Sequence, residues 1–114
     1  MPLYMAQLSY SPQAWAGLVQ NPENREEKVR GMLAEAGCTL HHLWYAFGED
    51  DAFALIEAPD NITAASVAIA VGSSGAFSSF KTTVLMTQEE TLQALAKAAE
   101  LGYVAPPMSD LVHA

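Results

Sequence analysis

Cysteine is nearly absent. Cys38 is the only one in 114 residues, so no disulfide can close within the chain. Without a Cys-x-x-Cys pair, dithiol redox chemistry has no partner thiol, and Cys38 reads as a small buried hydrophobe. Basic residues are almost as scarce: five Lys and Arg stand against thirteen Asp and Glu, a formal net charge of −8. Arg25, Lys28, Arg30, Lys81 and Lys97 form no long stripe. Nucleic-acid backbones and anionic membranes would be repelled on average, so neither is an expected partner. Long apolar runs are also missing. The longest, near Ala64 to Val71, falls far short of the ~20 residues that span a bilayer. The start, Met1-Pro2-Leu3-Tyr4, has no basic segment followed by an apolar run, so no signal peptide is expected and the cytoplasm is the expected compartment. Gly72-Ser73-Ser74-Gly75 lacks the Gly-Lys-Ser/Thr ending of a phosphate loop. No Ser/His/Asp order or zinc-ligand spacing stands out, and neither cofactor nor metal is expected.

What remains is apolar. Hydrophobic residues make up 51% and charged residues 16%, which argues against disorder and for some apolar surface at a subunit interface. Leu3 to Tyr10 is aromatic and apolar and reads as a strand. Ser11-Pro12 starts a helix, with Trp15, Leu18 and Val19 on one face. Asn21-Pro22 repeats the start signal, so this helix either kinks or restarts. From Glu23, the positions Val29, Met32, Leu33 and Ala36 follow helical spacing, and Gly37 stops it. Thr39 to Phe47 and Ala52 to Glu57 read as strands joined at Gly48-Glu49-Asp50-Asp51, a hairpin. Ile62 to Val71 fits a buried strand or a short helix, and the alanines and Asp60 cap favour the helix. Phe77 to Met86 carries a fourth strand. Thr87 to Glu90 has capping-box spacing before a helix with Leu92, Leu95, Ala96 and Ala99 on one face, which Gly102 stops. A domain over residues 1–102 is expected, with an irregular tail from Tyr103 to Ala114.

The order β-α-β-β-α-β-α predicts an α+β, ferredoxin-like chain: βαββαβ plus a C-terminal helix, with helices on one face of an antiparallel sheet. Strict alternation along the second strand puts Leu40, His42 and Trp44 on one side, and His41, Leu43, Tyr45 and Phe47 on the other. Both sides are bulky, where a half-wet sheet would alternate apolar with polar. The simplest cover for the second face is another copy of the same sheet, so a homo-oligomer is expected.

These residues resemble a family. Tyr4, Tyr10-Ser11-Pro12, Trp15 and Asn21-Pro22-Glu23-Asn24-Arg25 are similar to the opening of GYD-domain proteins. Trp44 to Asp51 resembles their signature hairpin, and Glu57-Ala58-Pro59-Asp60, Lys81-Thr82-Thr83 and Thr87 to Glu90 follow the same rhythm. In this chain Gly48 and Asp51 fit the name-giving Gly-Tyr-Asp, while Asp50 stands at the tyrosine's place. The resemblance implies a dimeric α+β barrel and brings little function with it.

The candidate chemistry centres on the second strand. His42, beside Trp44, is the candidate general base, and His41 is expected on the opposite face. A hydrogen-bonded structural histidine is the plainer reading of His42. Asp51 is a second catalytic candidate, although a turn carboxylate bonding backbone amides accounts for it as well. Trp44, Lys81, Tyr45 and Gln7 are the candidate ligand-binding residues. Lys81 would either attract an anion or pair with Glu57 or a turn aspartate. Trp15, Tyr4, Tyr10 and Trp44 are candidates to line a pocket for a planar ligand. The expected function is binding of a small apolar or aromatic molecule, in a form that extends to cofactor-independent catalysis. A non-catalytic assembly or regulatory module is the alternative. A binder or enzyme would show a closed apolar pocket with a convergent His or carboxylate, and a module would show that face filled by side chains.

Overall fold

The computed structural model describes residues 1–108. Its elements run β1 (Leu3–Tyr10), α1 (Pro12–Gln20), α2 (Arg25–Glu35), β2 (Thr39–Tyr45), β3 (Ala52–Glu57), α3 (Asn61–Gly72), β4 (Phe77–Leu85) and α4 (Gln88–Ala98). Each helix begins where a polar side chain satisfies an otherwise unpaired amide. Ser11 Oγ accepts from Ala14 N–H, Asn24 Oδ1 from Glu27 N–H, and Asp60 Oδ1 from Thr63 N–H. Thr87 and Glu90 close a reciprocal capping box. The Thr63 amide holds the Asp60 carboxyl below its ordinary range. At Asn21-Pro22 the helix restarts rather than kinks, because the missing proline N–H cannot continue the ladder. Gly37, with φ 77°, makes the left-handed turn out of α2 that a side chain would strain. The apolar run Ile62–Val71 is helical, and the second strand stops at Tyr45, short of Phe47. Of the tail expected from Tyr103 to Ala114, residues 103–108 carry no helix or strand, and positions 109–114 lie outside the described residues.

The four strands form one sheet in the order β2-β3-β1-β4, every neighbouring pair antiparallel. This is the α+β ferredoxin-like arrangement. One face lies under the helices. There Tyr4, Ala6 and Leu8 of β1 and Ala52 and Ala54 of β3 are buried, with Leu33 of α2, Cys38 and Leu40 of β2 completing the core. Burial pushes the Cys38 thiol up, as for a packed rather than reactive cysteine. The opposite face carries Met5, Gln7, Phe53, Leu55 and Trp44, and no helix packs against it.

Strict alternation along β2 does not hold. The register with β3 shifts between Leu40, which pairs with Ile56, and His42, which pairs with Leu55. His41 is the extra residue of this bulge. Leu40 therefore faces the helices together with Leu43 and Tyr45, while His42 and Trp44 face the open side. His41 does not take the side opposite His42: its Nε2 lies 2.8 Å from Glu57 Oε1, a residue of the open-face parity. α4 stands off the sheet. Its stripe is uncovered within this chain, with Leu92 57% and Leu95 60% exposed.

Candidate functional site

The helix face of the sheet is floored with small side chains. Ala6 and Ala54 are direct partners on β1 and β3. The helices above therefore rest on larger neighbours at the edges, and the space over the alanines stays open. A cavity of about 650 Å³ results, lined by Ala6 and Ala54 below, Leu18, Val29 and Met32 from α1 and α2, and Val67 from α3. Its size falls within the ~300–1,000 Å³ of ordinary small-molecule sites.

One end of this chamber is aromatic and polar. Tyr10 stacks on Phe77 at 5.1 Å, and Phe77 meets Phe80 edge-on at 5.8 Å; all three rings line the cavity. The Tyr10 and Tyr45 hydroxyls are 3.2 Å apart, so one donates to the other and one O–H remains free. Burial, then the Tyr10 hydrogen bond, raise the Tyr45 pKa, so Tyr45 stays a neutral phenol. Arg25, in the first turn of α2, also lines this end together with Glu23 and Asn21. Its guanidinium pairs with Glu23 at 2.8 Å, and Lys28 bonds the other oxygen of the same carboxylate. Two cations on one carboxylate hold Glu23 below its ordinary pKa, and Glu23 in turn raises that of Arg25.

Of the residues singled out from sequence, Tyr10 lines this end, and Tyr45, Trp15 and Asp51 stand against it. Tyr45 belongs to the phenol pair. Asp51 braces it: a single oxygen, Oδ2, accepts from Tyr10 N–H at 2.9 Å and from Trp15 Nε1–H at 3.1 Å. This carboxylate ties the end of β1 to α1 and fixes the Tyr10 ring where it meets Trp15 edge-on at 4.9 Å. Asp51→Ala would leave both donors without their acceptor. It is expected to cost about 1–3 kcal/mol in urea unfolding and to red-shift Trp15 emission in the folded state. An unchanged midpoint and spectrum would remove Asp51 from this role.

The others lie elsewhere. His42, Trp44, Lys81 and Gln7 share the open face. His42 stacks on Trp44 at 4.9 Å, exposed in the single chain. Lys81 pairs with Asp50, a buried turn aspartate, at 3.2 Å. Tyr4 is core, its hydroxyl donating to Asn61 at 2.7 Å. Neither His41 nor His42 lines the chamber. Arg25 and the alanine floor were missed from sequence. The available signal was Ala6 and Ala54, which share the inward parity of two strands that carry mostly larger residues. Among the described residues no group of three His, Cys, Asp or Glu is placed to hold a metal, and no helix is long and apolar enough to cross a membrane.

No curated protein and no solved structure matches the chain. The GYD-domain model matches residues 4–95, which takes in the sheet, the chamber and its polar end, and the chain belongs to the GYD-domain family.

Proposed function

We propose that this protein binds a small, largely apolar molecule in the chamber between its helices and its sheet, and that it works as a homo-oligomer paired through the open sheet face. The observation that supports binding is the chamber itself: an apolar space of about 650 Å³ with its few polar groups gathered at one end. That is the composition of a ligand site, where apolar walls supply affinity and a few fixed polar groups supply orientation. A pure assembly module would be expected to fill this face with side chains. With no histidine on the walls, the titratable groups of the lining are Tyr10, Glu23 and Arg25. Pairing is supported by the apolar open face, where Met5, Phe53 and Leu55 adjoin Trp44, itself 48% exposed. A second position for a ligand is the space enclosed between two such faces, favoured by the His42–Trp44 stack and by Lys81 on that side.

The test is a neutral fluorescent probe, N-phenyl-1-naphthylamine. Its emission is expected to rise on mixing with the protein. Ala54→Trp, which places an indole on the chamber floor, is expected to weaken binding by about tenfold or more, a loss of ~1.4 kcal/mol or more. Trp44→Ala is expected to leave it within about twofold. The reverse pattern would move the site to the paired sheets, and no binding by the wild type would remove the function.

A further inference from the structure

We propose that the ligand of the chamber is an apolar compound ending in a carboxylate, with the carboxylate held at the Tyr10–Tyr45–Arg25 end. The inference rests on the chamber being a ligand site and specifies what that site selects.

The argument is a count of hydrogen-bonding capacity. Tyr10 and Tyr45 satisfy each other once, which leaves a single O–H to donate. Arg25 gives one N–H to Glu23, and its guanidinium carries five. The groups left over at this end are therefore mainly donors, and a ligand head that only donates would meet few acceptors. The carboxylate on the lining, Glu23, is already taken by Arg25 and Lys28; the Asn21 amide can both donate and accept, and Asp51, behind the lining, already accepts from Tyr10 and Trp15.

Charge points the same way. The molecule as a whole carries −8, yet three of its five basic residues, Arg25, Lys28 and Arg30, lie within six positions of α2. Arg30 is paired with Glu26 at 3.3 Å, and Glu27 is exposed beside Lys28 on the outer side of the helix, away from the chamber lining. Of the charged residues on the lining, Arg25 and Glu23 cancel formally, but Lys28, on the outer side with Glu27, shares the Glu23 carboxylate and so leaves the Arg25 guanidinium only partly neutralised. An oxyanion there gains charge-assisted hydrogen bonds, and the planar guanidinium matches a carboxylate's two oxygens. The remaining lining is aliphatic and aromatic, so the body of the molecule must be apolar. A neutral alcohol would lose the charge term, and an amine would place a cation against Arg25.

Three probes of equal chain length separate these cases: decanoate, decanol and decylamine, each displacing N-phenyl-1-naphthylamine below its aggregation limit. Decanoate is expected to displace the dye at a concentration about tenfold lower than decanol, and decylamine to be weakest. Arg25→Gln is expected to weaken decanoate by about tenfold and leave decanol within about twofold. Glu23→Gln frees a cation and is expected to strengthen decanoate. These opposite shifts from neighbouring, partly exposed side chains, with unchanged melting curves, are what a merely structural role would not produce. Decanol binding as well as decanoate, or Arg25→Gln affecting both equally, overturns the carboxylate assignment while leaving the chamber as a site. Failure of the dye and all three probes to bind overturns the chamber reading instead.

Discussion

Under the proposed pairing through the open sheet face, Leu55→Asp is expected to leave a monomer of 12.2 kDa where the wild type sediments as a dimer or larger, read by sedimentation velocity at micromolar concentration. Leu55 lies mid-strand on the open face, between Met5 of β1 and His42 of β2. In a two-fold pairing each copy presents the same patch, so one substitution enters the interface twice. An unpaired carboxylate buried there costs several kcal/mol, and each ~1.4 kcal/mol is tenfold in the dissociation constant. A weakening beyond about a hundredfold follows. The fold should survive, because the buried cluster of Tyr4, Ala6, Leu33, Leu40 and Ala54 lies on the other side of the sheet. Ile69→Asp, on the outward face of α3 and 70% exposed, serves as the control and is expected to leave the assembly intact. If Ile69→Asp dissociates it and Leu55→Asp does not, the helices form the interface. A wild-type monomer would overturn the pairing altogether.

Leu40→Ala is expected to be the most destabilising of the simple truncations on β2, by about 2–5 kcal/mol in urea unfolding. Leu40 is 1% exposed, packed with Leu33 and Ala54, and its carbonyl accepts from Arg30. Removing its side chain leaves a void that the β2–β3 bulge and the α2 contact restrain from closing. Leu43, two positions past the bulge residue on the same face, gives the contrasting result. It already borders the chamber, so part of its surface has no packed partner to lose. Leu43→Ala is expected to cost about half as much or less. Equal losses at the two positions would mean that the chamber is collapsed in solution. That outcome would count against the binding function as well as against this ranking.

Asp50 stands where the resemblance to the name-giving Gly-Tyr-Asp implies a tyrosine. Here that position supplies a buried carboxylate for Lys81 on β4. The turn thereby spans from the β2–β3 hairpin to the far edge of the sheet by an ion pair, which a phenol would not form.

The element order was legible from the chain because its signals are local. Caps at Ser11, Asn24, Asp60 and Thr87, the stop at Gly37 and the proline at position 22 each act within a turn of the backbone. So was the α+β ferredoxin-like class, which follows from element order and from the rule that helices cover one face of such a sheet. The facing of β2 was not legible. Alternation assigns sides correctly only while the register is unbroken, and one extra residue at His41 exchanges them for everything beyond it. Whether a strand bulges is decided by its pairing with β3, a contact between segments distant in sequence. For the same reason tertiary structure alone brought Tyr10, Tyr45 and Arg25 together from β1, β2 and α2, and turned two alanines distant in sequence, Ala6 and Ala54, into one floor.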